Sequence, residues 1–353
     1  KNRRLVIVCS MSRRYKAKLE EDKMVNLEEF LVYSWKFEEY NAAVDEVEFF
    51  NSVSHQLHSS NAFETNAEEN PSPSRYDLIL SKFYFAGGCS RFMFQYTTDE
   101  VISVLEESVD SIRDVEGYCK ATTGDRSNGV INRLFGLHLI GKSRKKSKSF
   151  IISQFACYCL AVKLGPDLIN HLSKVIEHDS NPVMKGWLFE MWFFACLRNG
   201  GVTLIDIDGR ESLKWPQASS IERLDMESVQ IIPDDTGLWL KPLKWNQGGF
   251  DAVFIYASCE TPNKPRNFVR FVQVTCGQTH TFKIQYFREL LTVLGNHFEI
   301  HFVEVFFLVE QAKIGLFEIL DSQIYGQGGL REFGWEKTKE KEKVQIYALK
   351  GWK

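Results

Sequence analysis

The chain has 353 residues, of which 44% are hydrophobic and 13% aromatic. This composition excludes a mainly disordered chain, and the length indicates two or three domains rather than one core. A formal net charge of -3 excludes a uniformly basic nucleic-acid coat, although a local basic patch is still allowed. No apolar run approaches the roughly 18 residues that a membrane-spanning helix needs, so a membrane is not an expected partner.

The eight cysteines are scattered, with no C-x-x-C pair and no histidine partners at metal-ligand spacing. Most of them lie in apolar runs such as FACYCLAV, which predicts reduced core thiols rather than a disulfide framework or a zinc site. A reducing compartment is therefore expected for the folded chain. The cysteines are Cys9, Cys89, Cys119, Cys157, Cys159, Cys196, Cys259 and Cys276.

The first part of the chain combines one apolar strand with charged helices. Residues 4–12, RLVIVCSMS, are typical of an interior parallel strand. Helical stretches containing YSWKFEEYNAAVDEV follow, and the polar segment 59–75, with its two prolines, predicts a loop. A helix over YDLILSKFYF runs into Gly87-Gly88, and a second helix from Thr98 to about Cys119 begins with a threonine cap and carboxylates in its first turn.

Residues 130–160 predict a small β-hairpin or wing that leads into a helix. LFGLHLIG and FIISQFACYCLAV are its apolar runs, and KSRKKSK is a basic turn between them. The segment GLHLIGKS matches the nucleotide-binding pattern G-x-x-x-x-G-K-[ST]. However, its intervening residues are bulky and no apolar helix follows it, so we do not predict a phosphate loop. The basic side chains suit either a solvated turn or a functional role in phosphate contact or nuclear import. They are Lys142, Arg144, Lys145, Lys146 and Lys148.

The last part of the chain alternates helices and strands. A helix from Pro182 to Arg198 is predicted to end at Gly200-Gly201 and to lead into the strand VTLIDI. Two more strands, FDAVFIYA and FVRFVQVT, flank the hairpin loop CETPNKPRN. A helix over residues 282–294 and the run IHFVEVFFLVE complete the order helix, strand, strand, strand, helix, strand.

Polar residues interrupt the apolar faces of these elements near one strand end. Gln273 and Thr275 share one face of an apolar strand, where uncompensated polar groups are costly. A hairpin loop centred near Pro262 would put Asp251 opposite Gln273 to Thr275. We therefore expect a carboxylate, a carboxamide and a hydroxyl at one end of the sheet.

Two charged residues are predicted to join them. Glu190 has glycine and aromatic neighbours on its helix face, so its carboxylate needs a cation, a metal or hydrogen-bond donors. Lys283 is in register with three apolar residues of the next helix, which aims its ammonium at the same strand end. Three of these residues also have an ordinary interpretation. Asp251 would be a turn residue, Gln273 a buried amide bonded to backbone, and Lys283 a snorkelling surface lysine.

The combination of these elements resembles the core of PD-(D/E)XK, restriction-endonuclease-like nucleases. The sequence resembles more closely still the nuclease module of the Crinkler effectors of oomycetes and fungi and of the related retrotransposon hot spot proteins of trypanosomes. FDAVFIY followed by VQVTCGQTHTFK is similar to their Asp strand and Q-x-T strand. In the first half, RLVIVCSMS is similar to a late ATPase strand, YSWKFEEY to a tryptophan-containing segment before the lid, FAGGCSRFMF to the lid motif and INRLFGLHLI to the segment after it.

The resemblance implies an α/β fold in three parts. Residues 1–70 would be a remnant of a P-loop ATPase-like domain, residues 71–180 a mainly helical lid and winged-helix-like region, and residues 181–353 a restriction-endonuclease-like α-β-β-β-α-β core. On this expectation the true nucleotide loop precedes the chain, and ATP binds only if the full-length protein contains it. Ser10 and Arg91 would be remnants of nucleotide sensing, or else a strand-end serine and a surface arginine.

The resemblance also implies a secreted effector that hydrolyses DNA in the host cell nucleus with Mg²⁺ or Mn²⁺. Asp251, Gln273 and Glu190 would hold the metal. The consensus has an acid and a lysine where this chain has Gln273 and Thr275, and a carboxamide oxygen can ligate magnesium but brings no charge. Lys283 would replace the missing lysine, with His280 as the next candidate. The alternative is a decayed nuclease that binds host protein or DNA without catalysis.

Overall fold

The computed structural model describes residues 33–57, 73–112, 133–139, 147–170, 182–225, 231, 233–244, 247–258 and 266–352. Within them the chain is mixed α/β and divides into two compact units, residues 1–160 and residues 161–353. The strand predicted over residues 4–12 and most of the loop predicted over residues 59–75 lie outside the described residues. The division into three parts stays a prediction. No helix in the described ranges is long and apolar enough to cross a membrane.

Two helices of the first unit begin where the sequence supplies a side-chain cap. The Ser74 hydroxyl accepts a hydrogen bond from the backbone N–H of Asp77, and the carboxylate of Asp77 accepts one from the backbone N–H of Ser74. Thr97 and Glu100 form the same reciprocal pair, and such a capping box satisfies backbone donors that the helix itself cannot. The helices are α1 (Phe37–Asp45), α2 (Val47–Leu57), α3 (Arg75–Ala86), α4 (Ser90–Phe94) and α5 (Thr98–Asp110).

The structure confirms the helix predicted over YDLILSKFYF and shortens the next one. Helix α5 ends at Asp110 rather than near Cys119. The hydroxyl groups of Ser108 and Ser111 donate to backbone carbonyl oxygens three or four residues earlier, at 2.6 and 2.7 Å. Serine competes in this way with the helical backbone pattern, which favours an early end.

The predicted hairpin before a helix is confirmed. Strand β1 (Phe135–Leu139) pairs antiparallel with β2 (Ser147–Ile151), and helix α6 (Gln154–Leu164) follows. Since Gly136 lies in β1, opposite Phe150, the first half of the text GLHLIGKS is a strand rather than a loop. This agrees with the prediction that it is not a phosphate loop.

The Gly87-Gly88 pair has a structural role in the first unit, where three segments cross. The backbone N–H of Gly88 donates to the carbonyl of Ile152, and its own carbonyl accepts from the N–H of Trp35. Gly87 has φ of 51°, and a Cβ there would lie 1.8 Å from the carbonyl oxygen of Ile152. Only glycine fits such a close approach at positive φ.

The second unit is built on an eight-stranded mixed sheet. Its strands are β3 (Val202–Ile205), β4 (Glu211–Trp215), β5 (Ile221–Leu224), β6 (Leu238–Pro242), β7 (Ala252–Ser258), β8 (Arg266–Thr275), β10 (Phe302–Val309) and β12 (Gln345–Leu349). They lie in the order β4-β3-β12-β10-β8-β7-β6-β5. The longest ladders are those of the central strands, where β10 runs parallel to β8 and β7 runs antiparallel to β8. A separate parallel pair is formed by β9 (Phe282–Lys283) and β11 (Ile324–Tyr325).

The order of strands before the hairpin differs from the prediction. Helix α7 (Pro182–Arg198) and strand β3 follow each other as predicted, with Gly200-Gly201 at positive φ between them. However, β3 pairs antiparallel with β12 on the far side of the sheet, and the second neighbour of β7, besides β8, is β6. The sequence did not reveal β6 because its five residues, LWLKP, are too few to establish a period and end in proline.

Two helices pack on the sheet. Helix α8 (Ile284–Gly295) contributes Phe287, Leu290 and Leu294 to the core on one face, which confirms the predicted stripe. Its first residue is Ile284 rather than Phe282, because the two preceding residues pair as strand β9. Helix α7 contacts the aromatic residues of the other face, where the Phe193 ring lies 6.0 Å from that of Trp239.

Candidate functional site

A carboxylate and a carboxamide meet at one end of the central strands. The β7–β8 register pairs Ala252 with Val272, so Asp251 and Gln273 form the next pair outward. Gln273 Nε2 donates to Asp251 Oδ2 at 2.6 Å, and the backbone N–H of Val274 donates to the same oxygen at 2.7 Å. The predicted position of Asp251 opposite Gln273 is therefore confirmed.

A glycine pair brings the chain to Asp251. A Cβ at Gly248 would lie 2.2 Å from the ring of Tyr286, and Gly249 has φ of 84°. Tyr286 belongs to α8, so the loop before β7 lies directly against that helix. The close approach and the positive φ both require glycine. Together they fix the position of the loop backbone from which the Asp251 side chain projects.

Glu190 and Lys241 form an ion pair beside this carboxylate. Lys241 Nζ lies 2.7 Å from Glu190 Oε1, and the two side chains are 13% and 23% exposed, respectively. The ammonium also lies 4.6 Å from the ring centroid of Phe194, one helical turn after Glu190. The sequence predicted that Glu190 needs a cation, a metal or hydrogen-bond donors, and the structure supplies a cation from strand β6.

Two acidic groups and one lysine lie close together at this end of the described sheet. Burial and the nearby charge of Glu190 raise the pKa of Asp251 to about 8, although the Val274 N–H and Lys241 act in the opposite direction. Asp251 therefore holds a proton at pH 7, beside the ion pair of Glu190 and Lys241. A bound cation would take the place of this proton and offset the repulsion between the two ionised carboxylates.

Three side-chain oxygens at this end accept no hydrogen bond from the described residues. Lys241 bonds only one oxygen of Glu190, and both donors to Asp251 bond Oδ2, which leaves Glu190 Oε2 and Asp251 Oδ1. Gln273 is engaged through its nitrogen, which leaves Oε1. Two carboxylate oxygens and one amide oxygen suit a hard divalent cation such as Mg²⁺. The described ranges contain no group of three or more His, Cys, Asp and Glu able to hold a metal, so Gln273 would have to be the third protein ligand.

Thr275 serves the turn after β8. Its Oγ1 accepts a hydrogen bond from the backbone N–H of Gly277 at 3.0 Å, and the residue is buried. Gln273 and Thr275 thus satisfy their polar groups in different ways, although they share a strand face. Of these two residues, only Gln273 forms a hydrogen bond with Asp251.

Lys283 has other contacts than the sequence predicted. Its ammonium lies 5.6 Å from the ring centroid of Tyr286, and in the described part of the chain it makes no contact with Glu190, Asp251 or Gln273. Lys283 belongs to β9 and precedes the first turn of α8, so the helical register assumed for it does not apply. Lys241 is the cation at Glu190.

His280 lies near the same strand end without joining the cluster. Its Nδ1 is 3.0 Å from the carbonyl oxygen of Thr281, and its ring centroid is 5.5 Å from that of Phe307, which pairs with Gln273 in the β8–β10 register. Burial lowers the pKa of His280, as does the nearby charge of Lys283, whereas the hydrogen bond with the Thr281 carbonyl acts in the opposite direction. The net effect favours the neutral imidazole.

The remaining predicted residues are not part of this cluster in the described structure. Arg91 is an exposed residue of α4. Lys148 lies in strand β2, but its side chain is outside the described part, as are the other basic residues of the turn and Ser10. Their predicted contacts with nucleotide or phosphate stay predictions.

A second charged cluster, which the sequence analysis missed, lies after strand β10. Glu310 is buried, and it bonds Lys185 Nζ at 2.6 Å, Lys313 Nζ at 2.7 Å and Trp352 Nε1 at 3.1 Å. Burial alone would raise the pKa of Glu310, but these three donors lower it to about 2. The acid that ends the apolar run FFLVE, with a lysine three residues later, is the signal that could have revealed it.

The described part of the sheet edge therefore joins Asp251 and Gln273 from the central hairpin to Glu190 of α7 and Lys241 of β6. This arrangement can hold a cation and present an ammonium beside it. Comparisons with models of protein families, with curated proteins and with solved structures gave no match for this chain.

Proposed function

We propose that the chain is a metal-dependent nuclease that hydrolyses phosphodiester bonds of DNA. The observation that carries the proposal is the group of Asp251, Glu190 and Gln273 at one sheet edge, each with one oxygen that accepts no hydrogen bond from the described residues. Mg²⁺ or Mn²⁺ would bind these oxygens. The raised pKa of Asp251 supports the proposal, because burial and then the charge of Glu190 disfavour its ionised form, and a bound cation would stabilise that form.

The order of elements around this group supports a restriction-endonuclease-like core. Strands β6, β7 and β8 form an antiparallel meander, and β10 returns parallel to β8 after helix α8. With α7 before them, these elements follow the order α-β-β-β-α-β once β3 to β5 are treated as an insertion. We assign the core to these six elements, with Asp251 at the start of its second strand.

The side chains have separate roles in this proposal. When bound, the cation would supply Lewis-acid activation of phosphate and water. Gln273 holds the Asp251 carboxylate in position through its amide hydrogen bond. Glu190 orients a water molecule, and Lys241 stabilises the negative charge that develops on the phosphate. Lys241 thus takes the role that the sequence analysis gave to Lys283.

The test is cleavage of supercoiled plasmid by the purified chain. The wild-type chain should nick the plasmid in the presence of Mg²⁺, and EDTA should stop this cleavage. In Asp251→Asn the cleavage rate should fall by about a hundredfold or more. Asp208→Asn is the matched control, since Asp208 is an acid 64% exposed in its side chain, outside the group. Cleavage at the wild-type rate in Asp251→Asn would remove the proposal.

A decayed nuclease that binds host protein or DNA without catalysis is the second candidate. The observation that favours it is the Gln273 amide nitrogen, which faces Asp251 where the consensus has an acid. Millimolar Mg²⁺ that neither binds nor raises the melting temperature would favour this candidate. We also propose secretion and action in a host cell nucleus, which imaging of the tagged chain in host cells would test.

A further inference from the structure

Four aromatic rings form a row across β7, β8 and β10, at the opposite end of these strands from Asp251. We call Phe254, Tyr256, Phe268 and Phe302 the aromatic ladder. Its successive ring centroids are 5.2, 4.7 and 4.8 Å apart, with interplanar angles of 26°, 11° and 18°. Phe268 is the direct cross-strand partner of both Tyr256 and Phe302, so the stack follows the spacing of the strands.

The aromatic ladder ends in an exposed ring. Strand β12 pairs with β10 only from Phe306 onward, so none of the described strands continues the sheet beside Phe302. The Phe302 residue is 41% exposed. Another planar group can therefore stack on the outer ring as the ladder's next member.

Two arginines accompany the rings. The guanidinium carbon of Arg266 lies 5.6 Å from the ring centroid of Phe302. Arg270 lies 5.8 Å from the ring centroids of both Phe254 and Tyr256 and is paired with Glu304 at 2.8 Å. Arg270 is thus paired with Glu304, and the exposed Arg266 lies at the outer end of the ladder. Rings with a guanidinium beside them suit unpaired bases and their phosphates.

We propose that the aromatic ladder binds single-stranded nucleic acid, with a base stacked on Phe302 and its phosphate near Arg266. This inference deepens the proposed function and rests on it, because it names the form of the substrate. Tyr256 is five residues from Asp251 along β7, which corresponds to about 17 Å. The ladder lies on the sheet face that carries Lys241, because Phe254 pairs with Trp239 and Lys241 is two residues further along β6.

The test is fluorescence anisotropy with the full chain in EDTA, where metal-dependent cleavage is absent. The probes are labelled oligo(dT), oligo(rU) and a DNA duplex of equal length. Wild type should bind single strands more tightly than duplex, and Phe302→Ala should weaken this binding about tenfold, whereas Phe302→Trp should retain it. Tyr76→Ala, which removes an aromatic residue 49% exposed in the first unit, is the matched control and should bind as wild type. The preferred single strand, DNA or RNA, identifies the source of the ligand.

Two results would overturn the inference. One is a Phe302→Ala variant with a wild-type melting temperature and unchanged affinity for single strands. The other is a change of oligomeric state in Phe302→Ala without a change in oligonucleotide affinity, which would make the ladder a protein-docking surface. Both are measured without metal, so they are distinct from loss of the proposed nuclease, which is judged by Asp251→Asn and cleavage.

Discussion

The ion pair between Glu190 and Lys241 joins helix α7 to strand β6, and its removal has a cost that follows from its burial. Breaking a buried ion pair by removing one partner costs about 3–5 kcal/mol, whereas an exposed pair contributes about 0–1 kcal/mol. Glu190 and Lys241 are 23% and 13% exposed, so they lie near the buried limit. We expect Lys241→Met to lower the free energy of unfolding by about 3 kcal/mol, since it leaves the Glu190 carboxylate without its cation.

The partner variant should cost less. In Glu190→Gln the ammonium of Lys241 keeps the Phe194 ring at 4.6 Å and an amide oxygen, so we expect a loss of about 1 kcal/mol. The double variant should be more stable than the sum of the two losses implies, with a coupling free energy of about 1–2 kcal/mol.

The assay is urea unfolding followed by tryptophan fluorescence. Seven of the eight tryptophans lie in the second unit, because only Trp35 precedes residue 161, so the signal reports the unit that contains the ion pair. Losses that add to within about 0.3 kcal/mol would show that the two side chains do not interact, and the geometry argued for Glu190 would then be incorrect.

Three further predictions concern the same edge of the sheet. Folding raises the pKa of Asp251 from 3.8 to about 8, so the folded state holds the extra proton between these values. Stability in EDTA should therefore fall as pH rises from about 4 to 8, by at most about 1.4 kcal/mol per unit, and urea curves of Asp251→Asn should lack this component. Gly249→Ala should lower the melting temperature and cost about 1–2 kcal/mol, because φ of 84° strains any other residue, whereas Gly295→Ala, at a position with open space, should not. If the chain cleaves DNA, Lys241→Ala should slow cleavage about a hundredfold and Lys283→Ala should not, and equal losses would contradict the assignment of Lys241.

The hairpin and its register could be predicted because a short loop fixes which residues face each other. The position of the turn near Pro262 was enough to bring Asp251 opposite Gln273, and hydrophobic alternation in both strands then set the buried face. The need of Glu190 for a cation could also be predicted, because helical neighbours follow from a fixed period of 3.6 residues.

The identity of that cation could not be predicted. Lys241 is 51 residues from Glu190, and the two meet only because β6 pairs with β7 in a sheet whose strand order the sequence does not specify. The error for Lys283 has a local cause. Its helical register was assumed to extend back through Phe282, but the pairing of β9 with β11 holds both residues in strand geometry. Strand pairing across long stretches of sequence therefore decided both outcomes.

The most direct test of the central claim is titration of the purified chain with Mg²⁺ or Mn²⁺ by isothermal calorimetry. We expect binding of one ion in wild type, loss of that binding in Asp251→Asn and weaker binding in Gln273→Leu, with Asp208→Asn as the unaffected control. If wild type binds no ion at millimolar concentration, or if Asp251→Asn binds it equally well, Asp251, Glu190 and Gln273 do not form a metal site.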